Sequence, residues 1–287
     1  VQSISLANNY LTGEDYDDMS AVIKLAEAFT KMPSLREVNF DGNALCGVDR
    51  DDDDRGTFTL DGINAICDAL TKSNVQGISL NDNQLCGVNW QGVGTFTLDA
   101  INAICDALTK SNVQSISIAH NNLTNYGRDM SAVIKLAEVI PSTQILSLNL
   151  DINYLCGVDE YGGGKFTLDA INAICDALTK SNMQSISLAD NNLTSGGDDM
   201  SAVITLAEAF TKMPNLREVN LADNNLTNFG TDTSAVIKLA EAFTKMPDLR
   251  KVNLDSNQLC GIDKYSRGTF TLDGINAICD ALTKSNV

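Results

Sequence analysis

The feature that most constrains this chain is internal repetition. Its 287 residues divide into eight units, 1–34, 35–74, 75–112, 113–144, 145–182, 183–215, 216–248 and 249–287. Each unit opens with one pattern: apolar, two variable, apolar, one variable, apolar, two variable, Asn, one variable, Leu. Val1, Ile4, Leu6, Asn9 and Leu11 show it, and so do Leu216, Val219, Leu221, Asn224 and Leu226. Self-similarity at such a period means modules that bury their apolar faces against one another. Positions 4 and 6 are apolar while 3 and 5 are polar, the period-two signature of a short strand. The Asn recurs as Asn9, Asn43, Asn83, Asn121, Asn153, Asn191, Asn224 and Asn257. An amide both donates and accepts, so a buried Asn can satisfy backbone groups where the chain turns out of a strand. Stacked units would set these amides in a ladder.

The second half of each unit reads as a helix. Val22, Leu25, Ala26 and Phe29 fall at i, i+3, i+4 and i+7, as do Ile63, Ile66, Cys67 and Leu70. Asp17, Asp18 and Asp61 suit helix starts; Lys31 and Lys72 suit helix ends, and Pro33 terminates the first helix. One strand and one helix per unit predict parallel strands joined by right-handed crossovers. Helices are about twice as wide as the strand spacing, which predicts a curved stack with strands inside.

The run VQSISLANNYL followed by an amphipathic helix resembles a leucine-rich repeat of the ribonuclease-inhibitor class, and the resemblance covers the whole chain. It implies an α/β leucine-rich-repeat solenoid, a horseshoe or arc of eight strand–helix repeats with a parallel sheet on the concave face. It also implies a single domain over 1–287. Val1 is already position 1 of a unit, Val287 matches it, and neither end carries a polar cap. The expectation is therefore a segment of a longer array, or copies that stack end to end into a filament. The fold hosts inhibitors, sensors and GTPase activators, so resemblance to the Ran GTPase-activating protein also admits a regulatory role.

Units come in two types, ordered A B B A B A A B. Type A is compact. Type B carries an insert between the strand turn and the helix: DRDDDDRG, NWQGVG, DEYGGGK and DKYSRG in its four copies. These inserts should line one rim, with Trp90, Tyr161 and Tyr265 as aromatic anchors for a partner, or else they are surface loops that tolerate change. All eight cysteines lie in type B units, as Cys46 and Cys67, Cys86 and Cys105, Cys156 and Cys175, Cys260 and Cys279. Each pair either forms a disulfide closing its insert or stays reduced, since a buried free Cys behaves as a small hydrophobe. In the ribonuclease-inhibitor class a small residue or reduced Cys often fills the position of Cys67.

The net charge is −17, which argues against general nucleic-acid binding, and no apolar run is long enough for a membrane span. On the strands, Arg36, Glu37, Arg217, Glu218 and Arg250 should face the concavity. Asp41, Asp82, Asp151, Asp190, Asp223 and Asp255 follow as an acidic strip that would steer a basic protein partner, unless it merely keeps the surface soluble. His120, the lone histidine, projects at a strand end. Asn122, Asn192 and Asn225 head Asn-x-Thr sequons at expected outward positions; they would take glycans in a secreted protein, or NNLT is simply the type A turn. The run Asp49, Asp51, Asp52, Asp53 and Asp54 could collect a calcium ion, or, lacking calcium-loop spacing, is a solvated acidic loop. With no nucleophile–base pair, phosphate loop or metal constellation, the expectation is a protein-binding scaffold, not an enzyme, with no cofactor or metal. Reduced thiols would suit the cytoplasm; disulfides with glycans would suit the extracellular space.

Overall fold

The computed structural model describes residues 1–48, 56–89, 91–159, 161–263 and 265–284. Each unit contributes one three-residue strand at its positions 3 to 5 and one helix. The strands are β1 (Ser3–Ser5), β2 (Glu37–Asn39), β3 (Gly77–Ser79), β4 (Ser115–Ser117), β5 (Ser147–Asn149), β6 (Ser185–Ser187), β7 (Glu218–Asn220) and β8 (Lys251–Asn253). They alternate with α1 (Ser20–Phe29), α2 (Asp61–Lys72), α3 (Asp99–Leu108), α4 (Ser131–Val139), α5 (Asp169–Thr179), α6 (Ser201–Phe210), α7 (Ser234–Phe243) and α8 (Asp273–Lys284). The sheet order follows the chain, from β1 to β8, and every pairing is parallel. Register is unshifted: Ser3 faces Glu37, Ile4 faces Val38, and position 4 continues opposite position 4 through Val219 and Val252.

The period-two reading of the strands appears as one-sided burial. Val38, Ile78, Ile116, Leu148, Ile186 and Val219 are buried, while positions 3 and 5 on either side are exposed or half-buried. Position 6 continues the buried set with Phe40, Leu80, Ile118, Leu150, Leu188 and Leu221. The helices close over this face, and one contiguous apolar cluster runs from Met19 to Leu249. Burying each such side chain stabilises the fold by about 1.5–3 kcal/mol.

Helix starts differ between the unit types. In type A the carboxylates of Asp18, Asp129, Asp199 and Asp232 accept the backbone N–H groups of Ser20, Ser131, Ser201 and Ser234 at 2.8–2.9 Å. In type B the hydroxyls of Thr59, Thr97, Thr167 and Thr271 accept from Asp61, Asp99, Asp169 and Asp273 at 3.2–3.3 Å. Both devices satisfy an N–H group that a first helical turn leaves without a partner.

The expected horseshoe solenoid is corrected to a plainer description: eight parallel strands in one open, uncurled sheet that alternate with helices, an α/β fold. The reason is physical. Repeat length and helix–strand width constrain neighbouring units only, and α/β folds of several kinds satisfy that local constraint.

Candidate functional site

The turn that leaves each strand has one backbone solution repeated eight times. Positions 8 and 10 both take positive φ, at 49–63°, on either side of the Asn at position 9: Asn8 and Tyr10, Gly42 and Ala44, Asp82 and Gln84, His120 and Asn122, Ile152 and Tyr154, Asp190 and Asn192, Asp223 and Asn225, Ser256 and Gln258. Left-handed backbone costs a non-glycine residue roughly 1–2 kcal/mol, and β-branched Ile152 bears most of it. The amide at position 9 offsets this cost. Asn153 Oδ1 accepts from the N–H groups of Asn121 and Leu123, both at 3.2 Å, while its Nδ2 donates to Ile118, Leu150 and Asp151 carbonyls at 3.0–3.2 Å. Asn43, Asn83, Asn121, Asn191, Asn224 and Asn257 are buried in the same way. Asn9 differs: it is exposed, and its Nδ2 reaches only Ala7 of its own unit, at 2.9 Å.

A second set of bridges lies one step before it. Asp41 Oδ1 accepts from Ser79 Oγ at 2.6 Å and Asn81 N–H at 2.8 Å; Asp151 Oδ1 does the same for Ser187 and Ala189 at 2.6 and 2.7 Å. Burial pushes the Asp151 carboxyl above its ordinary value, against the downward pull of those bonds. The expected acidic strip is therefore two columns. Asp41 and Asp151 stand at position 7 and tie one unit to the next, and Asp255 shares that position. Asp82, Asp190 and Asp223 stand at position 8; Asp190 and Asp223 are exposed and Asp82 is half-buried.

Asp82 is where side chains converge. Its Oδ1 lies 3.5 Å from His120 Nδ1, across two units, and accepts Gln84 Nε2 at 3.1 Å. A depression beside this pair is walled by Asn89, Ile152, Tyr126 and Tyr154. The two tyrosine rings stack at 5.5 Å between centroids, 26° apart. The depression sits beyond the carboxyl ends of β3, β4 and β5, the place where open parallel sheets collect ligands. Sequence reasoning singled out Asp82 and His120 separately and missed both tyrosines. They sit in turns, and nothing local reports that residues 126 and 154 meet.

The remaining expected contact residues do not join this cluster. Arg36, Glu37, Arg217, Glu218 and Arg250 stand at positions 2 and 3 of their units, at the ends of the strands opposite these turns. Arg36 donates to the carbonyls of Pro33 and Leu35, and Arg217 to Gln184. Tyr161 and Tyr265 are exposed on the inserts, with Arg267 over the Tyr265 ring at 5.2 Å. Trp90 and the run Asp49–Asp54 lie outside the described residues.

The three described inserts share a frame that their drifting sequences hide. Asn89, Asp159 and Asp263 each accept two backbone N–H groups of their own loop, and a bridge closes each loop: Val88 to Gly94, Val158 to Gly164, Ile262 to Gly268. The signal was present as an Asx after the apolar residue and a glycine near the end. Neighbouring inserts and turns touch closely. Gly127 has φ +75°, and a Cβ there would overlap the Gly157 backbone.

The outward position expected of the sequon asparagines is corrected at these turns, and the cysteines take the reduced alternative. Asn122 does not face outward: it is buried, with Nδ2 donating to Asn89 O at 3.2 Å and Oδ1 accepting Tyr126 N–H at 2.7 Å. Asn192 is half-buried and bonds similarly to Asp159 O and Gly196 N–H, and Asn225 Nδ2 donates to Gly196 O. The nitrogen a glycan would use already ties each turn to the preceding unit. The pairs Cys46–Cys67, Cys86–Cys105, Cys156–Cys175 and Cys260–Cys279 are not disulfides; all eight thiols are free. They pack between units instead. Cys105 Sγ donates to Lys135 O at 3.9 Å, Cys175 Sγ to Thr205 O at 3.8 Å and Cys156 Sγ to Leu193 O at 3.8 Å. At the turn position of Cys156, type A has Thr124 and Thr194, whose hydroxyls donate to the next unit at 2.7 Å. Burial pushes the thiols of Cys67, Cys105 and Cys175 up to about 12. It raises those of Cys46, Cys86 and Cys156 as well.

No described protein family and no curated protein matches the chain. Among solved structures it is similar to TLR13 in a TLR13–ssRNA13 complex, at 12% identity over 79% of this chain and 23% of that one, with TM-score 0.38. It is similar to a tropomodulin C-terminal domain of Caenorhabditis elegans at 10% identity, over 77% of this chain and 92% of that one, TM-score 0.34. It also aligns with an Escherichia coli 3-keto-D-glucoside 4-epimerase at 11% identity, over 98% and 96%, TM-score 0.29. This chain spans about a quarter of the TLR13 chain. The expectation that the chain is not an enzyme is withdrawn, because missing motifs exclude no chemistry. None of these TM-scores assigns an activity. The leucine-rich-repeat likeness is carried by the repeat pattern, and the ribonuclease-inhibitor class goes beyond it.

Proposed function

We propose that the chain is a protein-binding repeat scaffold whose turn edge receives a basic segment of a protein partner. The observation that carries this reading is the depression at Asp82, His120, Tyr126 and Tyr154 beyond the carboxyl ends of β3–β5. A carboxylate beside two phenol rings offers a lysine or arginine side chain both charge and cation–π contact. Exposed Asp190 and Asp223 continue the negative edge along the next two units. The net charge of −17 would draw such a segment in from a distance.

The test separates this edge from acidity in general. Fluorescent oligo-arginine is titrated into the chain, into Asp82→Asn with Asp190→Asn and Asp223→Asn, and into Asp68→Asn with Asp106→Asn and Asp176→Asn on the helices. The turn-edge triple is expected to weaken binding about tenfold, and Tyr154→Ala to weaken it at unchanged net charge. Equal losses in the two triples, or full affinity with Tyr154→Ala, would overturn the reading.

A further inference from the structure

Taking the depression at Asp82 as a site for a basic segment, we infer that protonation of His120 weakens its hold on that segment, so that affinity falls as the solution is acidified.

The repeat itself sets His120 beside Asp82. Both stand at position 8, in the third and fourth units, with left-handed backbone at φ 56° for Asp82 and 53° for His120. The N–H of Asp82 donates to Ala119 O at 3.0 Å and that of His120 to Asp151 O at 2.9 Å, which keeps consecutive turns in step. Copies of one turn in neighbouring units place equivalent side chains side by side, and His120 Nδ1 comes to 3.5 Å from Asp82 Oδ1. The two side chains are 33% and 19% exposed. Both are therefore reachable by a ligand, and they are screened less than a fully exposed pair.

Histidine is the side chain whose ordinary change of charge falls between about pH 5 and pH 8. In its neutral form the imidazole leaves the Asp82 carboxylate as the charge that a guanidinium meets beside the rings of Tyr126 and Tyr154. In its protonated form it pairs with that carboxylate and repels the incoming cation, and both effects oppose binding. Binding therefore expels the proton: imidazolium, carboxylate and guanidinium become imidazole, a carboxylate–guanidinium pair and one H+ in solution. Proton and cation weaken each other by the same factor, because the linkage is reciprocal.

The other ionisable groups on the described elements packed here are committed elsewhere or keep their charge. Asp151 Oδ1, on the following turn, accepts from Ser187 Oγ and Ala189 N–H. Asp129 Oδ1 accepts from Ser131 at the start of α4, and Asp159 Oδ1 from Tyr161 and Gly163 N–H in the neighbouring insert. Arg128, on the loop that carries Tyr126, belongs to a residue type that stays charged in this range. Further along position 8, Asp190 is followed by Asp223 and Asp223 by Ser256. His120 is the one histidine of the chain, so that part of the edge keeps its hold at lower pH.

Fluorescent oligo-arginine, whose guanidinium groups stay charged throughout, tests this. It is titrated into the chain at about pH 8 and at about pH 5.5, on either side of the middle of the imidazole range. The unmodified chain is expected to bind about fivefold more weakly at the lower pH. His120→Gln should bind with one affinity at both. His120→Lys, a fixed cation at the same position, should bind at the higher pH as weakly as the unmodified chain does at the lower. Calorimetry at about pH 6, in buffers of different ionisation enthalpy, should show proton release on binding to the unmodified chain and none with His120→Gln. A fall in affinity that survives His120→Gln would overturn the inference and move the proton to a carboxylate such as Asp151, which burial pushes above its ordinary value. Equal affinity of the unmodified chain at the two pH values would also overturn it, and would leave the depression as a site for a basic segment. Absence of binding at either pH, or equal losses in the turn-edge and helix triples, would remove that site and this inference with it.

Discussion

Helices α2 and α8 have the same twelve-residue sequence, DGINAICDALTK, and different fates. In α2 the residues Gly62, Ile63, Ile66, Cys67, Ala69 and Leu70 are buried; in α8 only Gly274 and Ala281 are. The same contrast holds between α1 and α7, both SAVIKLAEAF, in which α7 buries Ala235, Leu239 and Ala242 while their α1 counterparts Ala21, Leu25 and Ala28 lie outside the buried set. Local sequence sets the helix and its apolar stripe. The neighbouring unit decides whether that stripe stabilises anything, because burial is a property of the contact and not of the residue.

Substitutions in matched positions sharpen that contrast. Asn153→Ala removes an amide that serves two N–H groups and one carbonyl of the preceding unit and two carbonyls of its own. It should cost at least about 3 kcal/mol, because orphaned buried polar groups lose about 1–3 kcal/mol each. Asn9→Ala, at an exposed amide with one bond to its own unit, should cost less than about 1 kcal/mol. Equal losses in urea unfolding of the two variants would break the comparison. Next in size, Ile66→Ala in α2 should destabilise by about 2–5 kcal/mol and Ile278→Ala in α8 by less than half as much.

Alkali probes the buried thiols. Cys67, Cys105 and Cys175 keep their protons to about pH 12 in the folded chain, whereas an unfolded thiol ionises near about 8.5. Above that lower value the unfolded chain releases protons that the folded chain retains, so their contribution is fully present below it and is lost as pH rises toward 12. The urea midpoint should fall across this range, and the triple replacement Cys67→Ala, Cys105→Ala, Cys175→Ala should flatten the fall. An unchanged slope would remove the thiols from the account. Cys279, exposed in an otherwise identical helix, should react with a thiol reagent under conditions where Cys67 does not.

The smallest effect is expected at a turn. Ile152 is β-branched and holds φ at 56°. Ile152→Asn should raise stability by up to about 1 kcal/mol by relieving left-handed strain. Asp223→Asn, at the same backbone position with φ 58°, should change little. Thermal midpoints of the two variants decide it.

Much of the plan was legible in the repeat itself. Polar residues at positions 3 and 5 announced the strands, and the recurring Asn announced a buried amide column. The helical spacing of Ile63, Ile66 and Leu70 marked the face that α2 buries. The candidate site was legible only in fragments. Asp82 and His120 are 38 positions apart, and the tyrosines at 126 and 154 lie in different units; a period tells which positions are equivalent and not which unlike positions meet. The outward position read for the sequon at Asn122 failed for a related reason. The position is set by the turn, but the left-handed backbone at Asn122 folds its side chain back onto the previous insert.

By itself the sequence determined the module: its length, its strand, its helical stripe and the amide that pins its turn, all consequences of interactions between residues close along the chain. Tertiary structure alone decided how eight modules form one open sheet and which copies of an identical helix are buried. It also decided that the thiols pack between units without pairing, and that an aspartate, a histidine and two tyrosines share one depression. Those outcomes depend on what each module touches, and contact between distant segments is set by packing and register across units, which no single repeat encodes.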